Sequence, residues 1–487
     1  MMGNDKRVAF FCFVVASSLF AYVAYRAFHL SFTHDESLTF SILFGNEIYT
    51  NSANNHLLNT YLMDFCLRIW GDTEGVLRLP NVFGFIIYAF FSYKISKRLT
   101  SSLLQITCFL LLLLNPFILD FFSLARGYGL SLAMMVGSIY FLLKISDNHK
   151  SLIDNYLFAL FSIYAVIANF TLLIFYLAVM SVWGFIWMYH EKWKFFIRLI
   201  PRLPRSARSD IYPFWIILIA HSIILFNLMK FLFYLKSING LYAGGTSGFV
   251  NSVVDSNIVA LLYNENMSTD FLKDILVYVV CFLFLLIFTC NFISILKKPF
   301  SKSSLILIVV LVLCIIIPIV QNRVLGILYP TERTASFYYI LWVLPCVFYA
   351  FEKPILKNIH TVSIYSFTGF IILNFINTAN LKYCNTWKYD ADTKDMMLIV
   401  NQLHIEKKLP NSVQLSVFWL NEPAAKRYYR PQLYYDWITI NRFEVDKIQM
   451  DDIYFLPEEE AVKEPFKSQF SVLKSYGDSK MVLLQRR

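Results

Sequence analysis

Two adjacent carboxylates in His34-Asp35-Glu36-Ser37 are the residues of this 487-residue chain whose types and spacing most directly suggest chemistry. They follow a long apolar run by a few positions, which sets them near a membrane boundary. Desolvation there raises a carboxylate's pKa and makes it a stronger proton acceptor. The same residues also read as a helix start, with Thr33 or Asp35 as N-cap, Glu36 in the first turn and an interfacial helix through Leu38 to Phe44. At the level of sequence both readings stand. Farther along, His56 and Arg78 punctuate a stretch in which Leu57, Leu58, Tyr61, Leu62, Phe65, Leu67 and Ile69 suggest a helix lying on the membrane. Leu124 to Leu130 places Arg126 at the end of an apolar run, and Tyr329 to Tyr339 does the same with Arg333. An isolated guanidinium at that depth calls for an anion. The plainer readings are a snorkelling side chain for Arg126 and an ion pair with Glu332 for Arg333.

The elements that must position these groups are membrane spans. The chain is 57% hydrophobic, 18% aromatic and 16% charged, with mean hydropathy +0.54, whereas soluble domains run about 45–50% apolar and about 25% charged. Runs long enough to cross roughly 30 Å of hydrocarbon recur along most of its length. The first, Val8 to Phe28, follows Lys6 and Arg7, lacks a small-residue cleavage site and reads as a retained span. Ten more are expected at 80–97, 102–119, 128–144, 152–168, 171–189, 213–235, 274–296, 303–320, 337–351 and 359–378, which makes about eleven transmembrane helices. The +10 formal charge sits in short clusters between these runs, so it reads as an orientation signal and not as a nucleic-acid footprint. Lys94, Lys97, Arg98, Lys144 and the connector from Lys192 to Arg208 fall on the cytoplasmic side in this reading, together with the N-terminus.

Residues 1–379 thus form a polytopic α-helical membrane domain, with polar segments at 29–79, 120–127, 236–273 and 321–336 facing outward. Residues 380–487 change character: charge rises, and Ser412 to Leu420, Asp452 to Leu456 and Lys480 to Gln485 read as strands of a small soluble extracytoplasmic α/β domain. Gly240 to Phe249 reads as a loop that either closes over substrate or merely connects, the second being favoured. Cys66 and Cys384 are the two cysteines in outward segments, and their pairing stays open.

In order and spacing, Asp35-Glu36 in a long first outer loop, Asn55-His56, Gly71 followed by Arg78-Leu79-Pro80, Ala125-Arg126-Gly127-Tyr128 and the late Arg333 resemble the GT-C superfamily of integral membrane glycosyltransferases. The resemblance is to the branch with protein O-mannosyltransferases and the lipid A aminoarabinose transferase. Leu57 and Leu58 stand after His56 where many relatives have prolines, which loosens the match there. Trp387-Lys388-Tyr389-Asp390 looks like a junction in bacterial members, so the resemblance implies a bacterial inner membrane with the tail in the periplasm.

What the resemblance implies is a sugar donor carried on a polyprenyl phosphate in the lipid bilayer and an extracytoplasmic acceptor, glycan, lipid or protein. Asp35 would be the general base of an inverting displacement, with Glu36 orienting the acceptor or tuning Asp35. Arg126 and Arg333 would clamp the leaving phosphate, Tyr128 would accompany Arg126 in binding substrate, and His56 would contact phosphate or acceptor. Arg78 would bind substrate or tie the loop helix to its span. No cofactor is obligatory; a divalent cation beside Asp35 and His56 is left open, although no ligand set with metal spacing stands out. The rival classes are a transporter or flippase of lipid-linked saccharides, for which repeated halves and intramembrane charges would be expected, and a polymerase or ligase of the O-antigen type.

Overall fold

A computed structural model of the chain describes residues 2–45, 52, 54–190, 212–241, 244–263, 278, 302–351, 357–444 and 450–487. Among these, seven helices are long and apolar enough to cross a membrane. They correspond to α1 (Met2–His29), α4 (Glu74–Ser96), α7 (Gly127–Asp147), α9 (Leu173–His190, with the turn from Phe170 before it), α10 (Tyr212–Ser237), α12 (Lys302–Leu325) and α15 (Lys357–Thr378), and the short α11 (Asp255–Leu262) stands between α10 and α12. The span expected at 102–119 is instead a bent pair, α5 (Ser102–Leu113) and α6 (Pro116–Asp120), broken by 56°. Its cause is local: Pro116 supplies no N–H to continue the helix, disfavours helical backbone at Asn115, and sits at N1 of a new helix. The Asn115 side chain caps that helix through Phe117 N at 3.0 Å.

The helices α8 (Leu152–Ala168) and α14 (Phe337–Phe351) match two further expected spans but have only 17 and 15 residues. The span expected at 274–296 and the basic connector from Lys192 to Arg208 lie outside the described residues. Eleven spans are therefore an expectation that the described helices meet seven times in full, eight with the bent pair.

Between α1 and α4 the polar segment folds into two short helices, α2 (His34–Leu43) and α3 (Leu57–Trp70). Leu57, Tyr61, Phe65 and Ile69, each one turn apart, leave an exposed apolar stripe along α3, as expected of a helix resting on a bilayer. The tail begins with a buried Trp387, continues through α16 (Thr393–Ile405) and builds a five-stranded sheet of order β2-β1-β3-β5-β4. Its strands are β1 (Val413–Phe418), β2 (Ile438–Phe443), β3 (Ile453–Pro457), β4 (Phe470–Tyr476) and β5 (Met481–Arg486). The three expected strands are β1, β3 and β5; β2 pairs parallel to β1 on one edge and β4 antiparallel to β5 on the other. Edge strands with one covered face carry a weaker apolar signal, which is why they escape a reading by eye.

Packing crosses the expected boundary at 379/380. Phe32, Phe40, Met63 and Leu77 belong to the same buried cluster as Met396, Val400, Leu415, Tyr428 and Tyr429 of the tail. Tyr428 stacks on Phe32 at 3.9 Å between centroids, and Tyr429 Oη accepts from Phe32 N at 2.7 Å. Lys394 pairs with Glu74 at 2.7 Å. The tail is thus a wall of the polar end of the bundle, not a detached domain.

Candidate functional site

The capping reading of His34 to Ser37 is correct, and it divides the two carboxylates. Thr33 is the N-cap of α2, and Glu36 closes a capping box by accepting from Thr33 N at 2.9 Å. Glu36 also accepts from Arg78 Nε and Nη2, both at 2.7 Å, and from Ala125 N at 2.6 Å. A carboxylate offers about four acceptor positions, so Glu36, 0% exposed, has none left. Arg78 spends its remaining donors on the carbonyls of Ala27, Leu30 and Ser31 at 2.8–3.0 Å. These two residues hold the C-terminal end of α1, the start of α2 and the bend before α7 together. Of the two readings of Arg78, this geometry is that of a tie between the loop helix and its span, and neither Glu36 nor Arg78 has an exposed face.

Asp35, the neighbouring residue, points elsewhere because successive helix side chains diverge by about 100°. Its Oδ2 is buried and accepts no hydrogen bond. Two guanidiniums stand around it, Arg333 Nη2 at 3.4 Å and Arg126 Nη2 at 3.9 Å. Burial works to raise the Asp35 pKa, but the charges of Arg126 and then Arg333 lead the opposing pull and the net shift is downward. This reverses the sequence-level argument that desolvation makes this carboxylate a stronger base. Asp35 is held as an anion.

Arg126 is 1% exposed and fixed from several sides. It donates to Thr39 Oγ1 at 2.8 Å, to the Asp35 carbonyl at 3.2 Å and to Asn54, and its Nε is buried without a partner. Arg126 is the N-cap residue of α7. Arg333 sits in α13 (Glu332–Ala335), one residue after Glu332 at φ +46°, a left-handed backbone uncommon outside glycine. It donates from Nε to Tyr128 Oη at 3.2 Å and lies over the Trp387 ring at 5.3 Å. Its side chain is 30% exposed, so the site opens on this side. Within the glycine-rich stretch Gly245 and Tyr329 exchange backbone hydrogen bonds at 2.9 and 3.0 Å, bracing the segment that leads to Arg333.

His56 is 2% exposed and its ring lies edge-on to Tyr128 at 4.6 Å. Nδ1 lies 2.9 Å from the Ala168 carbonyl, which fixes it as the protonated nitrogen and leaves Nε2 as a bare acceptor. Nε2 is buried with no partner. Burial, then the Arg126 charge, push the His56 pKa well down, so the ring is neutral. Gly127 permits this arrangement: a Cβ there would collide with the Ala168 carbonyl and the His56 side chain.

Five of the seven expected residues thus converge, namely Asp35, His56, Arg126, Tyr128 and Arg333, while Glu36 and Arg78 form the frame behind them. Sequence reasoning missed Thr39, Asn54 and Asp390. Asp390 Oδ2 accepts from His34 N at 2.6 Å, and the Leu420 carbonyl meets His34 Nδ1 at 2.7 Å, so the tail grips the residue next to Asp35. Asn54 and Asp390 lay within the stretches singled out, but nothing local marks which polar residue will face a neighbour. Among the described residues no group of three His, Cys, Asp or Glu could hold a metal ion. Cys66 and Cys384 are both free thiols.

No family model matches the chain, and no curated protein matches it. Among solved structures it is similar to ArnT from Cupriavidus metallidurans in the apo state, at 11% identity over 99% of this chain and 98% of that one, with a TM-score of 0.46. It is similar also to ArnT from Cupriavidus metallidurans bound to undecaprenyl phosphate, at 12% identity over 98% and 97% of the two chains, again with a TM-score of 0.46.

Proposed function

We propose that the chain is an inverting glycosyltransferase that takes a sugar from a polyprenyl-phosphate carrier and passes it to an acceptor hydroxyl on the extracytoplasmic side of a bacterial inner membrane. The observation that carries the reading is Asp35 Oδ2, a buried carboxylate oxygen with no hydrogen bond, set between two guanidiniums at the polar end of a membrane bundle. Groups left unsatisfied and charged in a folded core are those a ligand is expected to complete.

In this reaction the acceptor oxygen attacks the anomeric carbon and its proton passes to Asp35. The bond from that carbon to the phosphate oxygen breaks, and its electron pair leaves with the phosphate. A phosphate leaving group is already an anion and needs counter-charge more than a proton, which Arg126 and Arg333 supply. The same arginines make resting Asp35 a weak base. A bound phosphate takes up their charge, and the Asp35 pKa then rises toward values useful for accepting a proton. Arg126 and Arg333 therefore serve the carboxylate first and the phosphate second.

His56 takes a different part from a phosphate contact. A neutral ring presenting a lone pair at Nε2 repels phosphate oxygens and accepts from a hydroxyl, so it orients the acceptor or the sugar. Tyr128 holds Arg333 in place. No cofactor enters this scheme, and a divalent cation would have to compete with two guanidiniums for Asp35. The test is transfer from radiolabelled polyprenyl-phosphate sugars in membranes holding wild type or Asp35→Asn at matched abundance. Transfer that collapses in the variant supports the reading; equal transfer removes Asp35 from catalysis, and no transfer from any donor refutes the class.

A further inference from the structure

The opposite end of the same helices carries a second cluster of charge that sugar transfer does not use. Lys94, Lys97 and Arg98 lie at and just past the end of α4, Lys144 and Asp147 close α7, and Asp154 lies in the first turn of α8. Together they line an open cleft of about 540 Å³. Two ion pairs cross it, Arg98 to Asp147 and Lys144 to Asp154, each at 2.7 Å. Lys94 and Lys97 lie instead over aromatic rings one turn back, Phe90 at 5.3 Å and Tyr93 at 5.8 Å. The four cations and two carboxylates leave the cleft with an excess of two positive charges, and Arg98 Nε is buried there with no partner.

Favourable helix-end dipoles explain why a single lysine closes a helix. They leave unexplained a cleft between three helix ends with two lysines outside its ion pairs and a buried N–H unmet. Its level supplies the missing element. α4 runs 23 residues from Glu74, beside the Asp35 site, to Ser96, which at about 1.5 Å per residue carries it roughly 33 Å. That is about the thickness of the hydrocarbon layer, so the cleft lies at headgroup depth of the other leaflet.

We propose that this cleft binds the phosphate group of an anionic phospholipid of that leaflet, with Lys94 and Lys97 as its direct ligands and Arg98 Nε as a third donor. A zwitterionic headgroup brings its own ammonium against the lysines and binds less well. Soluble phosphate offers the same oxygens without acyl chains, and its affinity separates the two sources. The site is independent of sugar transfer and stands or falls separately from it.

The experiment is titration of fluorescent phosphatidylglycerol, and separately of phosphatidylcholine, into the purified full chain, for wild type, Lys94→Gln/Lys97→Gln and Lys94→Arg/Lys97→Arg. The expected result is preference for phosphatidylglycerol, about 30-fold weaker in the Gln pair at roughly fivefold per lysine, kept in the Arg pair, with transfer activity unchanged. Displacement of the probe by millimolar inorganic phosphate, with the same dependence on the lysines, keeps the phosphate site and assigns it to a soluble anion. Equal affinity of wild type and Gln pair, or of the two lipids, overturns the proposal. Should the Gln pair not fold, the single Lys97→Gln variant at an exposed position gives the same reading with about a fivefold effect.

Discussion

If Asp35 and the carrier phosphate share Arg126 and Arg333, an inactive Asp35→Asn enzyme should hold the carrier more tightly than the active one. The magnitude follows from the site. Arg333 Nη2 stands 3.4 Å from Asp35 Oδ2, and a phosphate oxygen bonded to that nitrogen lies about 2.9 Å from it. The two anions are then separated by about 6 Å at most. Two unit charges at that distance repel by about 3 kcal/mol at an effective dielectric of about 20, roughly a hundredfold in affinity. Screening through the exposed side of Arg333 reduces this, so the expected gain is about tenfold to a hundredfold. Isothermal titration of geranyl phosphate into purified wild type and Asp35→Asn measures it directly. Unchanged or weaker binding by a folded Asp35→Asn protein would refute the idea that carboxylate and phosphate compete for the same arginines.

Other outcomes follow from the same geometry. Glu36→Gln should act on folding and not on the chemical step: it leaves buried Arg78 without its counter-charge, at a cost of about 3–5 kcal/mol, and is read as loss of monodisperse protein on heating in detergent. A stable Glu36→Gln protein with transfer abolished would return Glu36 to catalysis. Asp35 has its carboxyl pKa depressed below the ordinary 3.8, so its ionised form, and the stability its ion pairs add, persists above that value and fades as pH falls through the lower one. The acid limb of kcat/KM for donor should therefore lie below 3.8, and that of kcat, where phosphate occupies the arginines, at higher pH than the first; coincident limbs would count against partner exchange. His56→Ala should raise KM for acceptor with the carrier's affinity preserved, and wild type should show no histidine limb between about pH 5 and pH 8 because the ring stays neutral. Weakened carrier binding in that variant would instead make His56 a phosphate contact.

Local properties of the sequence were sufficient for much of this. Hydropathy is a sum over neighbouring residues, so the spans, the polar end segments and the change of character after residue 379 are legible without a fold. Pro116 marks a helix break for a reason confined to its own peptide unit, although the apolar run around it reads as one continuous span. Asp35, His56, Arg126 and Arg333 could be singled out because charge in apolar surroundings is costly wherever it occurs.

Partnership, in contrast, was decided only by tertiary structure. Asp35 and Glu36 are both carboxylates and adjacent in sequence, yet a single residue step of helix, about 100° of rotation, gives Glu36 to Arg78, 42 residues away, and leaves Asp35 facing Arg126 and Arg333. The direction of the Asp35 pKa shift depends on that difference, since burial alone acts upward and the neighbouring guanidiniums, Arg126 first, lead its reversal. His56 became a lone-pair acceptor because a carbonyl 112 residues on takes its other nitrogen. The tail became a wall of the site because Tyr428 and Tyr429 meet Phe32 across nearly 400 residues. Sequence determines what each residue costs to bury, but which charges neutralise one another depends on distances between remote segments, and those exist only once the chain is folded.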